Sequence, residues 1–91
     1  MTVVPTITVE FFGIPRQRSG CAETVVRGET VAEVLAAIES SFPALRGLRR
    51  PNGGPAKHYL LSLDGHSFLS DPQHRLEPGS RLLLLSADAG G

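Results

Sequence analysis

The chain lacks most of the features that announce a function. It has a single cysteine, Cys21, so no internal disulfide can form. No apolar run approaches the roughly 20 residues that a membrane span needs. The stretch from Met1 to Val9 has neither the basic start nor the long apolar core of a secretory leader. Neither sign of charge prevails, because nine Lys and Arg balance nine Asp and Glu among 91 residues. A polyanion binder would need a basic stripe, and none is present. The nearest approach to one, Arg46, Arg49 and Arg50 with Lys57 further on, adjoins a Gly/Pro stretch and reads as a solvated rim. These absences predict a soluble, cytoplasmic protein in a reducing compartment, with neither nucleic acid nor membrane among its partners. The length predicts one domain, whose core forms by burying about two-thirds of the unfolded surface.

Catalytic signatures are absent too. There is no Walker loop, dinucleotide fingerprint or HExxH. His58, His66 and His74 stand eight apart, whereas zinc sites use tighter pairs, so these are read as solvated histidines and no metal is expected. Ser40, Ser41, Asp64 and His66 form no triad pattern. Asp64, Asp71 and Asp88 fall at turns or in the tail. Cys21 reads as a half-buried small residue rather than a nucleophile.

What is present is a pattern of strands around one helix. Ile7, Val9 and Phe11 alternate with Thr8, Glu10 and Phe12, which is the period of a strand, and Gly13 and Pro15 end it. Cys21 to Arg27, between Gly20 and Gly28, is a weaker second strand. Thr30-Val31-Ala32-Glu33 fits a capping box, in which the Thr30 hydroxyl accepts from the Glu33 amide and the Glu33 carboxylate reaches back to the Thr30 amide. Val31, Val34, Leu35, Ile38 and Phe42 then make one apolar stripe of a helix, with Ala32, Glu33, Glu39 and Ser40 off it. Pro43 stops the helix.

Leu45 to Lys57 is a long connection whose Pro51-Asn52-Gly53-Gly54-Pro55 reads as an exposed loop. His58 to Leu63 is a third strand. Asp64-Gly65 suits a two-residue hairpin turn leading to a short return strand over Ser67 to Ser70. Glu77-Pro78-Gly79-Ser80 fits a type II turn. Arg81 to Ser86 is the last strand. Its four leucines, Leu82 to Leu85, suit a central position or an outer face that meets a partner.

The expected architecture is therefore α+β: a mixed sheet of four to five strands with the helix across one face. The other face has no second layer. Phe12, Leu83 and Leu85 have the parity that points to it, and an apolar patch rimmed by polar residues marks an interaction surface.

The chain ends in Ala87-Asp88-Ala89-Gly90-Gly91. Alone, a Gly-Gly ending arises by chance in about one chain in two hundred, so it means little without its context. In context, Phe11-Phe12-Gly13, Arg16, Gly20, the Thr30-Val31 helix start, Leu35, Phe42-Pro43, Leu76, Pro78-Gly79 and Gly90-Gly91 fall in the order seen in the MoaD/ThiS-type sulfur carriers. The chain resembles these ubiquitin-like β-grasp proteins over nearly its whole length, and its most specific match is the Gly-Gly end. The resemblance implies a β-grasp domain over residues 1–85 and a flexible tail over 86–91. It implies that an E1-like adenylating enzyme, using ATP and magnesium, activates the Gly91 carboxylate. A sulfur donor then converts it to a thiocarboxylate, and a sulfur-accepting synthase takes the sulfur into a cofactor or an amino acid. Gly91 thus carries the reacting group and Asp88, Ala89 and Gly90 thread the partner's channel, while Phe12, Leu83 and Leu85 dock.

On this reading the chain binds no cofactor, is not itself an enzyme, and is a monomer between transient complexes. The long 45–57 loop is similar to that of carriers serving cysteine synthesis. The family's frequent Gly-Asp before the last strand is Gly79-Ser80 here, and its frequent proline before the tail is replaced by Ser86-Ala87. These departures leave the recipient open. Alternatives are the small subunit of molybdopterin synthase, a ubiquitin-like modifier joined to lysines, and a β-grasp interaction module.

Overall fold

Strand β1, Thr6–Phe11, runs antiparallel to β2, Glu23–Arg27, and parallel to β5, Arg81–Ser86. Strand β3, Tyr59–Leu63, lies antiparallel to β5 on its other side, and the short β4, Ser67–Phe68, closes the edge, giving the order β2-β1-β5-β3-β4. Two helices join them: α1, Ile14–Ser19, and α2, Val31–Ser41. The structure, a computed structural model, describes residues 4–87. The tail residues Asp88, Ala89, Gly90 and Gly91 lie outside the described residues. The expected mixed sheet with one main helix across a face is what forms, and it is the β-grasp arrangement.

The pattern of burial follows from strand parity. Ile7, Val9 and Phe11 on β1, with Leu82 and Leu84 on β5, are almost wholly buried beneath Val31, Val34, Leu35 and Ile38 of α2. Each such side chain contributes about 1.5–3 kcal/mol relative to exposure, so the sheet and helix hold each other. Phe42, the last member of the predicted stripe, caps α2 and meets Phe11 edge-on, with ring centroids 5.5 Å apart at 85°.

The helix start departs from the capping box in one bond. The Thr30 hydroxyl accepts from the Glu33 N–H at 3.3 Å, but Glu33 Oε1 accepts from the N–H of Glu29 (3.1 Å) rather than of Thr30. The segment before β5 serves the rest of the first turn: Val31 N–H donates to the His74 carbonyl and Ala32 N–H to that of Pro72. Those donors would otherwise lack partners, as the first turn of any helix does.

Four local readings need correction. First, α1 is an unpredicted element between β1 and β2. Pro15 enters its first turn and Gly20, at φ 77°, caps it by donating to the Arg16 carbonyl. Second, β2 starts at Glu23 rather than Cys21, β3 at Tyr59 rather than His58, and β4 ends at Phe68 rather than Ser70. Third, Asp64 and Gly65 do adopt the positive φ of the turn, 52° and 76°, but Leu63 pairs with Ser67, so His66 makes the connection three residues long.

Fourth, the 45–57 segment is not simply an exposed loop. A 3₁₀ turn, Pro43–Leu45, leads into it, and Leu45 and Leu48 are fully buried. Arg49 bridges to Pro55, and Gly54 and Pro55 are buried as well.

Glu39, read as off the apolar stripe, is what pins this segment. Its Oε2 accepts from the N–H groups of Gly47 and Leu48, both at 3.1 Å, and Oε1 pairs with Arg49 Nε at 2.6 Å. Only 16% of the Glu39 side chain is exposed. Replacing Glu39 with Ala is expected to cost about 1–3 kcal/mol, because two backbone donors lose a charged acceptor. Glu39→Gln should cost less, since the amide oxygen still accepts. Arg49→Ala should cost no more than about 1 kcal/mol, because that partner is half-exposed. Urea denaturation of the three variants measures the order, and an equal loss for Glu39→Ala and Arg49→Ala would rule out the backbone bonds as the anchor.

Candidate functional site

The sheet face away from α2 carries the residues assigned to docking. Register fixes their arrangement. Leu85 lies opposite Leu60, and Leu83 lies between Glu10 on one side and Ser62 on the other. Ser62 in turn lies opposite Phe68. The Phe12 N–H donates to the Leu84 carbonyl at 2.9 Å, continuing the β1–β5 ladder, so Phe12 flanks Leu85. The outer face therefore has a row of Phe12, Leu85 and Leu60 nearest the end of β5. The next row is Glu10, Leu83, Ser62 and Phe68. Neighbouring strands stand about 4.8 Å apart, which makes each row a continuous strip.

The structure thus brings Phe12, Leu83 and Leu85 together as the sequence parity predicts. Phe12 is 39% exposed, and Leu83 and Leu85 are half-buried. It adds two residues that the sequence reading missed, the half-buried Leu60 and Phe68, which is 70% exposed. An exposed phenylalanine on a two-residue edge strand has no use in the core of this chain. The far side of the face carries charge beside the exposed Val25, which lies opposite Thr8: Arg81 forms an ion pair with Glu10 and lies 3.8 Å from Glu23. An apolar strip with a charged border is the anatomy of an interface core and rim.

The chain leaves the sheet beside this strip. Ser86 is the last residue of β5 and is buried, and the Ala87 N–H donates to the His58 carbonyl at 2.8 Å. The first two residues of the 86–91 segment are therefore held in the fold. The row of Phe12, Leu85 and Leu60 lies next to the point where Asp88, Ala89, Gly90 and Gly91 begin.

The remaining candidate groups are dispersed. His58, His66 and His74 are exposed and stand before β3, after its turn and in the segment ahead of β5. Among the described residues no group of three or more His, Cys, Asp or Glu side chains converges to hold a metal ion. Cys21 is half-buried against the core, its thiol 3.8 Å from the Ser19 carbonyl. No helix of the described residues is long and apolar enough to cross a membrane.

No family model and no curated protein matches the chain. Solved structures do. Small archaeal modifier protein 1 from Methanosarcina acetivorans superposes with a TM-score of 0.81 at 20% identity, covering 99% of this chain and 100% of that one. CysO in its complex with BexX, from Amycolatopsis orientalis, gives 0.76 at 20% identity over 93% and 99% of the respective chains. A protein from Pyrococcus furiosus assigned as molybdopterin converting factor subunit 1 gives 0.74 at 16% identity over 90% and 97%. At these identities the likeness establishes a shared fold along almost the full length of both chains, the ubiquitin-like β-grasp.

Proposed function

We propose that this chain is a sulfur carrier of the MoaD/ThiS type, with the carboxyl group of Gly91 as the reacting group. The observation that carries the reading is spatial. An outward apolar strip of Phe12, Leu85 and Leu60 ends at the root of the segment that holds Gly90-Gly91. A partner seated on that strip stands where it can take the segment.

The chemistry asked of the chain is simple. A carboxylate resists nucleophiles, so an E1-like enzyme first joins it to AMP: a Gly91 carboxylate oxygen attacks the α-phosphorus of ATP, and magnesium pyrophosphate leaves. Hydrosulfide from a sulfur donor then attacks the carbonyl carbon, AMP departs and a proton is released. The resulting thiocarboxylate passes its sulfur to a synthase. Glycine suits this end because the absence of a side chain lets the backbone approach reacting groups closely in a narrow site. From Ser86 to Gly91 an extended chain reaches about 20 Å. The enzymes supply every catalytic group, while the chain supplies an anchor, a tether and a carboxylate. It needs no cofactor of its own and returns to the monomer between encounters.

The recipient is proposed as a cofactor or amino-acid synthase. Two other uses of the same end have specific support: the likeness to the molybdopterin converting factor subunit favours a synthase small subunit, and that to the archaeal modifier favours ligation to lysines. Incubation with the activating enzyme, ATP and sulfide, followed by intact-mass measurement, separates these from an inert module. The carrier gains the mass difference between sulfur and oxygen on Gly91. A modifier also leaves isopeptide-linked Gly-Gly remnants on other proteins. Stable co-purification with a larger synthase subunit marks the molybdopterin use. An unchanged mass together with unimpaired function on Gly91 deletion would sink the carrier reading.

A further inference from the structure

On the opposite side of β5 from the apolar strip, the root of the tail opens into a second feature. A cleft of about 350 Å³ is lined by Ile14 and Arg18 of α1, Arg46, His58, Tyr59 and Ser86. Resting on the carrier reading, we propose that this cleft receives an acidic side chain of the enzyme that activates Gly91, so that the root of the tail is held from both sides of the sheet.

The charges are gathered from distant parts of the chain. Arg18 comes from α1 and Arg46 follows the 3₁₀ turn, and both are exposed. The Arg18 Nη1 donates to the Tyr59 hydroxyl at 3.1 Å. Tyr59 is itself buried, so this bond orients the guanidinium while leaving other N–H groups of the fork to donate outward. Among the described residues no carboxylate lines the cleft. Glu39 borders a neighbouring hollow that Arg46 also lines, but both Glu39 oxygens are engaged, by Gly47, Leu48 and Arg49. Two guanidinium groups around one cleft with no carboxylate among the described lining residues repel each other, and a carboxylate that accepts from both relieves this with charge-assisted hydrogen bonds.

The size and place of the cleft select the partner. It has room for one or two side chains rather than a strand or a nucleic-acid backbone, and the chain's zero net charge offers a polyanion no wider attraction. Ser86 lines it, so the cleft adjoins the root of the tail. The basic cluster of Arg46, Arg49 and Arg50 is thereby divided: Arg49 is neutralised by Glu39, and Arg46 faces the cleft.

The test is the rate of pyrophosphate release from ATP by the activating enzyme with full-length chain as varied substrate. Arg46→Glu is expected to raise KM about tenfold with kcat unchanged, the size of one lost or reversed charge contact. Arg18→Glu/Arg46→Glu should raise it further, and the rise of KM with salt expected for the parent should flatten. Arg50→Glu makes the same charge change outside the cleft and should behave as the parent. Because Arg18 also supports Tyr59, the Arg46 single variant decides the matter if the double variant unfolds. A KM for Arg46→Glu within twofold of the parent, or an equal rise for Arg50→Glu, overturns the cleft as a docking point while leaving the carrier reading intact. Failure of the parent to elicit pyrophosphate release or gain sulfur overturns both.

Discussion

Removal of Gly91 is expected to abolish sulfur loading and leave the fold untouched. Deleting one residue withdraws the terminal carboxylate by about 3.3–3.6 Å along an extended chain. In-line attack on the α-phosphorus of ATP requires the reacting atoms within about 3–3.5 Å, and a misplacement of 1 Å already costs around a hundredfold. The expected loss in the rate of adenylate formation is therefore at least a hundredfold, with no sulfur gained in the intact mass. Stability should change by less than about 0.5 kcal/mol, because a terminal residue outside the core carries none of the mechanisms that produce large losses. The core cluster here is built from residues between Ile7 and Leu84. Gly90→Val keeps the length and tests the second requirement, close approach of a bare backbone. It should load more slowly than the parent while the Gly91 carboxylate remains in reach. If the Gly91 deletion were loaded at the parental rate, the reacting group would have to lie elsewhere.

That prediction rests on the part of the molecule the sequence discloses best. β1, α2 and β5 were legible because each has a period and a boundary signal of its own. The alternation of Ile7, Val9 and Phe11 is a two-residue repeat, the Thr30 cap precedes a three-four stripe, and Gly79 enters β5 at φ 82° after a proline. The outward parity of Phe12, Leu83 and Leu85 follows from the same alternation, so that part of the outward apolar strip was readable too.

What stayed hidden depends on contacts between distant residues. α1 is six residues, Ile14–Ser19, in which Pro15 alone is buried, so no apolar stripe exists to be read. Its signal was the pair of punctuation residues, Pro15 in the first turn and Gly20 just past the end, which fits the usual asymmetry of helix ends. Leu45 and Leu48 sit in a Gly/Pro-rich context that masks their burial, and the Glu39 carboxylate that ties the segment back lies eight and nine residues from the backbone donors it binds. Phe68 joins the apolar face through the pairing of β4 with β3, and the added His66 sets that register. The cationic cleft needs α1 and the turn after α2 at once, so its two arginines, 28 positions apart in the sequence, carry no local signature.

The apolar strip yields the second large effect. Phe12→Asp is expected to raise the KM of the activating enzyme for this chain by about one to two orders of magnitude, with kcat retained at saturation. The magnitude follows from losing about 1.5–3 kcal/mol of apolar burial at a central aromatic contact, where each 1.4 kcal/mol is tenfold, and a buried unpaired carboxylate adds to it. The side chain is 39% exposed and lies just beyond β1, so the fold should tolerate the change. Leu85→Thr keeps a strand-forming residue beside Leu60 and should give a smaller rise in KM. Phe68→Asp measures the breadth of the interface: a rise equal to that of Phe12→Asp extends the contact across β3 to the sheet edge, whereas a parental KM confines it to the row nearest the tail. The split between KM and kcat carries the argument, because docking and chemistry sit on different atoms. On the carrier proposal the strip would raise the local concentration of the Gly91 carboxylate at the partner's active site, while the barrier to adenylation would belong to the enzyme. Should Phe12→Asp be activated with the parental KM while Gly91 deletion abolishes loading, the tail alone would determine recognition and the outer face would have another occupant.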